Sequence, residues 1–196
     1  MVVLPASACS DTRSAEMQPV STVAELDELS AAHAGEALRA CCGSSRWVAA
    51  MVARRPFGSR AAVMTAADEI WRSLHEADWQ EAFRHHPRIG EQQGAVAQPE
   101  QGQSWSATEQ AGVSRADDDT RRMLAAANRE YEDRFGYVYI VNATGKSADV
   151  LLATARKRLV NSADLEIHIA ATEQQQITRN RLEKLLDADN SGRSER

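Results

Sequence analysis

The chain has 196 residues, 43% of them hydrophobic, with 23 Lys and Arg against 28 Asp and Glu, a net charge of -5 and a pI near 5.6. That length holds one domain with a real core and is too short for two ordinary enzymatic domains; the interleaved, acidic charge balance excludes an electrostatic case for nucleic acid. Three cysteines, two of them adjacent at Cys41 and Cys42, give neither a disulfide framework nor a metal-ligand spacing, which fits a reducing cytoplasm.

Residues 1–18 begin Met1-Val-Val-Leu4, broken at once by Pro5 and followed by Ser, Asp, Thr and Arg. A secretory signal needs a basic start and a longer apolar run, so this segment is expected to be a disordered leader. No stretch approaches the roughly eighteen apolar residues of a membrane span, and the carboxyl end carries no peroxisomal Ser-Lys-Leu. The expectation is a soluble, cytoplasmic protein with one helical domain over 19–188 and a disordered tail over 189–196.

Helical periodicity runs through nearly the whole chain. Short helices are expected near 22–31, 35–42, 45–53 and 78–84. Val63, Ala66, Ala67, Ile70, Trp71 and Leu74 recur at three and four residues and place one apolar stripe on a helix over about 60–76. Phe83-Arg-His85-His86-Pro87-Arg-Ile-Gly90 then sets an imidazole at the mouth of a turn-forming loop, because Pro87 biases His86 away from helical angles. Two readings stand: solvated imidazoles at a helix C-terminus, where His⁺ suits the dipole, or a proton-transfer group. Adjacent histidines point in different directions and no HExxH accompanies them, so no metal site is expected.

The stretch from about 86 to 105, rich in Gly, Gln and Pro, is expected to be one long irregular loop, of a length more often functional than idle. Ser106-Ala-Thr-Glu109 after it has the spacing of a capping box. The same helix start could instead offer backbone N–H groups, the Ser106 hydroxyl and the Glu109 and Gln110 side chains to a ligand. Glu109 cannot serve both through one oxygen.

Met123, Leu124, Ala127, Tyr131 and Phe135 share the inward stripe of a helix over 118–135, with Asp117 to Asp119 for its cap and first turn and Gly136 for a left-handed stop. Tyr137-Val-Tyr-Ile-Val141 has strand composition but no partner run anywhere, so an extended segment near 137–142, pinned between helices, is expected in an otherwise all-α fold. Ala143-Thr-Gly-Lys146-Ser147 lacks the first glycine of a P-loop and reads as a turn and a cap. A helix over 147–160 turns Leu151, Leu152, Ala155 and Leu159 inward, and a last helix runs over 164–186. On that helix Ile169, Ile177 and Leu185 share a stripe into which Arg181 falls, while Arg179 points away. A core-facing guanidinium needs an anion: a buried partner such as Glu173, or a substrate carboxylate.

The ordered set of Cys41-Cys42-Gly43 and Trp47, Arg55-Pro56-Phe57, His86-Pro87-Arg88-Ile89-Gly90, Glu109-Gln110-Ala111-Gly112, Asn128 with Tyr131-Glu132 and Phe135-Gly136, Gly145-Lys146-Ser147 and Arg181-Leu182 resembles the OHCU decarboxylase family. That family acts on 2-oxo-4-hydroxy-4-carboxy-5-ureidoimidazoline, and the resemblance covers about residues 20–186. It implies a single compact all-helical domain, a homodimer, no cofactor, and loss of CO₂ to give (S)-allantoin in urate catabolism. It implies His86 as the stereospecific proton donor, Glu109 and Arg181 as its catalytic companions, and a ureide pocket completed by Pro87, Ser106, Gln110 and the backbone of Tyr139, Ile140, Val141, Asn142 and Ala143. A histidine near its ordinary pKa of about 6.5 would suit the proton transfer. Two departures from the family pattern are Asn142, where members commonly carry an apolar residue or cysteine, and a long Gln-rich stretch over 91–104. A non-catalytic helical binding or interaction module, and a metal-dependent hydrolase of another ureide, are the alternatives.

Overall fold

The computed structural model describes residues 20–90, 99–114 and 116–187. The expected leader and tail lie outside the described residues. Among the described residues ten helices follow one another: α1 (Val23–Glu28), α2 (Ala31–Cys41), α3 (Ser45–Arg54), α4 (Arg60–Ser73), α5 (Glu76–Arg84), α6 (Glu100–Glu109), α7 (Ala111–Ser114), α8 (Asp118–Phe135), α9 (Ala148–Arg158) and α10 (Ala163–Leu186). Among the described residues there is no strand, as expected of an all-α chain, and no helix is long and apolar enough to cross a membrane.

Local chemistry sets most of the boundaries. Seven helices start on a Ser, Thr or Asp side chain that accepts an N-terminal amide: Thr22, Ser30, Ser44, Ser59, Asp117, Ser147 and Ser162. Ser30 therefore starts α2 four residues earlier than the apolar pattern suggests and ends the helix expected over 22–31 at Glu28. Gly136 stops α8 in the left-handed conformation at φ 79°, which relieves the last turn at no Cβ cost. Arg55 closes the end of α1 by donating from Nη1 to the carbonyls of Leu26 at 2.7 Å and Leu29 at 2.8 Å. Asp27 answers from the same helix by accepting the amides of Phe57 and Gly58, so the Arg55-Pro56-Phe57 motif is a clamp between α1 and the α3–α4 connection.

The long helix α10 packs on α2, α4 and α5, and α8 lies along α9. Trp47 and Trp71 are buried, and each indole N–H finds a carbonyl, Ala67 at 3.2 Å and Ala171 at 3.0 Å, so two large apolar bodies enter the core without an orphaned donor. The predicted stripe of α4 is buried as expected, and so is that of α9 through Ala155, with Leu159 half-buried at its end. Met123 is a correction: it is 42% exposed and receives a contact from Arg156, because Leu124, Ala127 and Tyr131 already fill the face of α8 that meets the core.

A charged cluster sits between α8, α9 and α10. Arg158 and Glu166, with side chains 6% and 0% exposed, pair at 2.6 Å, and the Tyr131 hydroxyl joins them both. Asn161 donates to the second oxygen of Glu166 at 2.7 Å. Arg158 also donates to the Ile140 carbonyl at 2.8 Å, which ties the extended segment to the cluster. Every charged atom is answered, the condition under which burying such a pair is tolerable.

Candidate active site

The α10 face that meets α2 and α5 carries three buried polar residues, Gln174, Thr178 and Arg181, at helical spacing among Ala170, Ile177 and Leu185. Arg181 faces the core as its place on the stripe predicts: it is 3% exposed, while Arg179 turns to the other side and pairs with Asp68 of α4 at 2.5 Å. The anion that answers Arg181 is Glu109, not Glu173. Nε and Nη2 of Arg181 donate to the two Glu109 oxygens at 3.2 and 2.9 Å, a two-point pairing suited to a planar guanidinium. Glu173 instead accepts the amide of Asn142 at 2.7 Å.

Ser106 is the clearest correction to the sequence reading. Pro99 precedes α6 and the helix begins at Glu100, so Ser106 and Glu109 lie in its last turn and form no capping box. The expected loop over 86–105 accordingly ends earlier, and residues 91–98 lie outside the described residues. Ser106 is 4% exposed, and its Oγ accepts from Arg181 Nη2 at 2.8 Å. Lys184, one turn beyond Arg181, reaches the same Glu109 carboxylate at 3.3 Å. Arg181 Nη1 points to the Ala40 carbonyl at 3.4 Å. Four of the five guanidinium N–H groups are thus directed at protein atoms, and one on Nη1 is left over among the described residues.

His86 follows α5 in the turn that Pro87 forces, half-buried, and lies near Arg181 and Gln174. Burial, first, and the Arg181 guanidinium, second, drive its pKa down to about 3, against a raising contact from the Gln174 side chain. The imidazole is therefore neutral near pH 7, a correction to the expectation of an ordinary value. His85 is also held below its ordinary value, chiefly by burial, and its ring lies on the Gly43 backbone so closely that a Cβ there would stand 2.4 Å from it.

Two further segments close the surroundings. Gln110, after α6, accepts the Gly90 amide at 3.0 Å, and Asn128 of α8 donates to the Ile89 carbonyl at 2.8 Å, so the turn after Pro87 is held from two helices. Gly112 lies against the Lys146 carbonyl, which a Cβ would approach to 2.2 Å, so α7 can pack on the 143–147 turn only with glycine there. In the extended segment Tyr139, Ile140, Val141 and Ala143 are buried, and part of its backbone is already engaged: Ile140 by Arg158, Asn142 by Glu173 and Ala143 by the Lys146 amide. The expectation that a ligand alone satisfies this backbone does not hold for those three groups.

The structure thus brings His86, Glu109, Arg181 and Ser106 to one place, with Gln110 on the adjoining turn. Gln174, Thr178 and Lys184 join the site without being among the residues expected from the sequence, although two polar residues on an otherwise apolar stripe carry the same signal as Arg181. Cys42 also belongs here: its thiol meets the Thr178 hydroxyl, and burial lifts its pKa to about 11, so it stays protonated. Among the described residues no group of three or more His, Cys, Asp and Glu side chains is placed to hold a metal.

Residues 27–183 match the family described as OHCU decarboxylase. The "Uric acid degradation bifunctional protein TTL" of Arabidopsis thaliana is 30% identical over 148 residues, which are 76% of this chain and 46% of that protein. A uric acid degradation bifunctional protein of Bacillus sp. (strain TB-90) is 25% identical over 165 residues, 83% of this chain and 32% of that one. The chain therefore spans less than half the length of these two relatives. The crystal structure of an OHCU decarboxylase in the presence of (S)-allantoin superposes with a TM-score of 0.66 at 29% identity, covering 76% of this chain and 96% of that one. An (S)-allantoin synthase, at 16% identity and a TM-score of 0.63 over 85% of this chain and 54% of that one, shares the fold.

Proposed function

Because the chain belongs to the OHCU decarboxylase family, we propose that it decarboxylates 2-oxo-4-hydroxy-4-carboxy-5-ureidoimidazoline to (S)-allantoin, with His86, Glu109 and Arg181 at the reacting centre. The observation that carries this reading is the convergence of three distant segments: a neutral imidazole after α5, a carboxylate at the end of α6 and a guanidinium on the core stripe of α10.

The chemistry asks little of the protein beyond placement and proton transfer. The substrate carboxylate leaves a carbon that bears a hydroxyl and adjoins a ring C=N bond. As the bond to CO₂ breaks, its electron pair forms a C=C bond, and the former C=N pair takes up one proton at nitrogen. The resulting enol becomes the ketone when the hydroxyl proton departs and the neighbouring carbon gains one. A neutral His86 suits this exchange better than a charged one, since its free ring nitrogen can accept the hydroxyl proton and the imidazolium so formed can return a proton to carbon from one face. Arg181, through its remaining Nη1 N–H and its positive charge, would orient the departing carboxylate. Glu109 would hold that guanidinium in place, and Ser106 and Gln110 would offer hydroxyl and amide partners to the ureide. The electron sink lies in the substrate, so the reading calls for no cofactor.

The same reading includes a homodimer, as the family resemblance implies, and a cytoplasmic location, which the cysteine usage supports; sedimentation of the purified chain at micromolar concentration tests the first part. A non-catalytic binding module draws on a specific observation too, since Arg181 is already paired. Turnover separates the two: supplied with freshly generated substrate, the protein should build the circular dichroism of (S)-allantoin well ahead of buffer. Equal rates would end the decarboxylase reading.

A further inference from the structure

Gln174 is fully buried one turn before Thr178 on α10, and its Nε2 donates to the Thr178 Oγ1 at 3.2 Å. That bond commits one end of the carboxamide. The other end, Oε1, is buried and has no hydrogen-bond partner meeting full geometry, one of three such side-chain atoms among the described residues. A buried amide oxygen without a partner is costly and demands an explanation. The group that Gln174 reaches is His86.

We propose that Gln174 is a positioning residue for His86: its carboxamide oxygen takes the N–H of one ring nitrogen, so that the lone pair of the other nitrogen faces the substrate. The chain of contacts gives the amide its direction. The Cys42 thiol is protonated and buried beside the Thr178 hydroxyl, Thr178 accepts from Gln174 Nε2, and Oε1 is the end that remains for the imidazole. A neutral imidazole has two tautomers, and only one presents a base toward any given side. Where the second ring nitrogen has no fixed acceptor, both tautomers are populated and part of the enzyme cannot take the hydroxyl proton. The proposal rests on the decarboxylase reading for its consequence in catalysis, but the tautomer itself is a property of the protein alone.

The test uses the full chain labelled with ¹⁵N in its histidines. Long-range ¹H–¹⁵N spectra report the tautomer of each ring, with His86 assigned by its loss in His86→Asn. Wild type should show one His86 tautomer. Gln174→Met, similar in volume but without an acceptor of comparable strength, should show a mixture, and its kcat should fall about tenfold with KM within about twofold, the scale of one net hydrogen bond. Gln174→Glu restores an acceptor: it should return the single tautomer and raise the pH at which His86 titrates, since a carboxylate then faces the ring alongside Arg181 and His85. Thr178→Val, which frees Nε2 and lets the carboxamide turn, serves should Gln174→Met fold poorly, and should also mix the tautomers. An unchanged His86 signature in Gln174→Met, or in Thr178→Val where that variant is the one measured, overturns the proposal. Loss of the single tautomer in Gln174→Met, in a protein whose wild type gives no turnover, would leave the proposal standing and defeat the decarboxylase reading; turnover with an unaltered tautomer would do the reverse.

Discussion

Arg181 and Glu109, 72 residues apart in sequence, form a two-point ion pair in which the side chains are only 4% and 11% exposed. The pair joins the carboxyl end of α6 to the last third of α10 and stands beside the imidazole of His86. Stability and chemistry therefore converge on the same two groups, and substitutions there should separate into structural and catalytic effects.

Arg181→Met should remove the substrate-orienting charge and leave Glu109 with Lys184 as its one cationic partner. Breaking a buried pair from one side costs about 3–5 kcal/mol, so chemical denaturation should register a loss on that scale, toward the lower end because Lys184 remains. Glu109→Gln keeps an acceptor for Arg181 and should cost less. A smaller loss in Arg181→Met than in Glu109→Gln would contradict this ordering.

His86 carries an acid-stability signature. Its folded pKa of about 3 lies below the ordinary unfolded value near 6.5, so between those limits the unfolded chain binds the extra proton and the folded one does not. The unfolding free energy contributed by this group should be fully retained above pH 6.5, fall as pH drops from there toward 3, and level off below. His86→Asn should flatten that part of the profile, measured by denaturant unfolding at a series of pH values. The Arg181 guanidinium is the second cause of the depression, so His86 should titrate at higher pH in Arg181→Met.

The cluster of Arg158, Glu166 and Tyr131 holds the extended segment through the Ile140 carbonyl. Arg158→Met leaves Glu166 charged and fully buried, which should destabilise the fold by about 3–5 kcal/mol. Glu166→Gln should be the milder change, since the amide still accepts from Arg158. Thermal unfolding of the two variants side by side checks the order.

Gly43→Ala probes the support of the histidine turn. The added methyl would meet Cβ, Cγ and Cδ2 of His85 at 2.7, 2.5 and 2.4 Å, so the ring and the turn carrying it must move. A displacement near the reacting group costs rate steeply. The variant should lose activity by about tenfold or more while Gly35→Ala, which meets only ordinary contacts at 3.8 Å and beyond, stays near wild type.

Much of this arrangement was legible in the sequence because it depends on local rules. The cap at Asp117, the left-handed stop at Gly136 and the inward register of Arg181 follow from spacing alone. The beginning of α6 was not, because Glu100-Gln-Gly-Gln103 shows no apolar period and Pro99 starts the helix without a side-chain cap, while Ser106 and Glu109 three positions apart imitate a start that is really an end. Partner choice was also out of reach: Glu109 and Glu173 are both reachable carboxylates in sequence, and the packing of α6 on α2, which places Glu109 beside α10, selects between them. The neutral state of His86 likewise depends on burial and on a guanidinium 95 positions later in the numbering (181 against 86).

The most direct measurement is the handedness of the product. Freshly generated substrate is given to wild type, His85→Ala and His86→Ala, and the circular dichroism of allantoin is followed against total CO₂ release. Wild type and His85→Ala should give excess (S)-allantoin, and His86→Ala a racemic product at the background rate. Retention of the S excess in His86→Ala would contradict this, by removing the imidazole from the proton transfer on which the proposed chemistry depends.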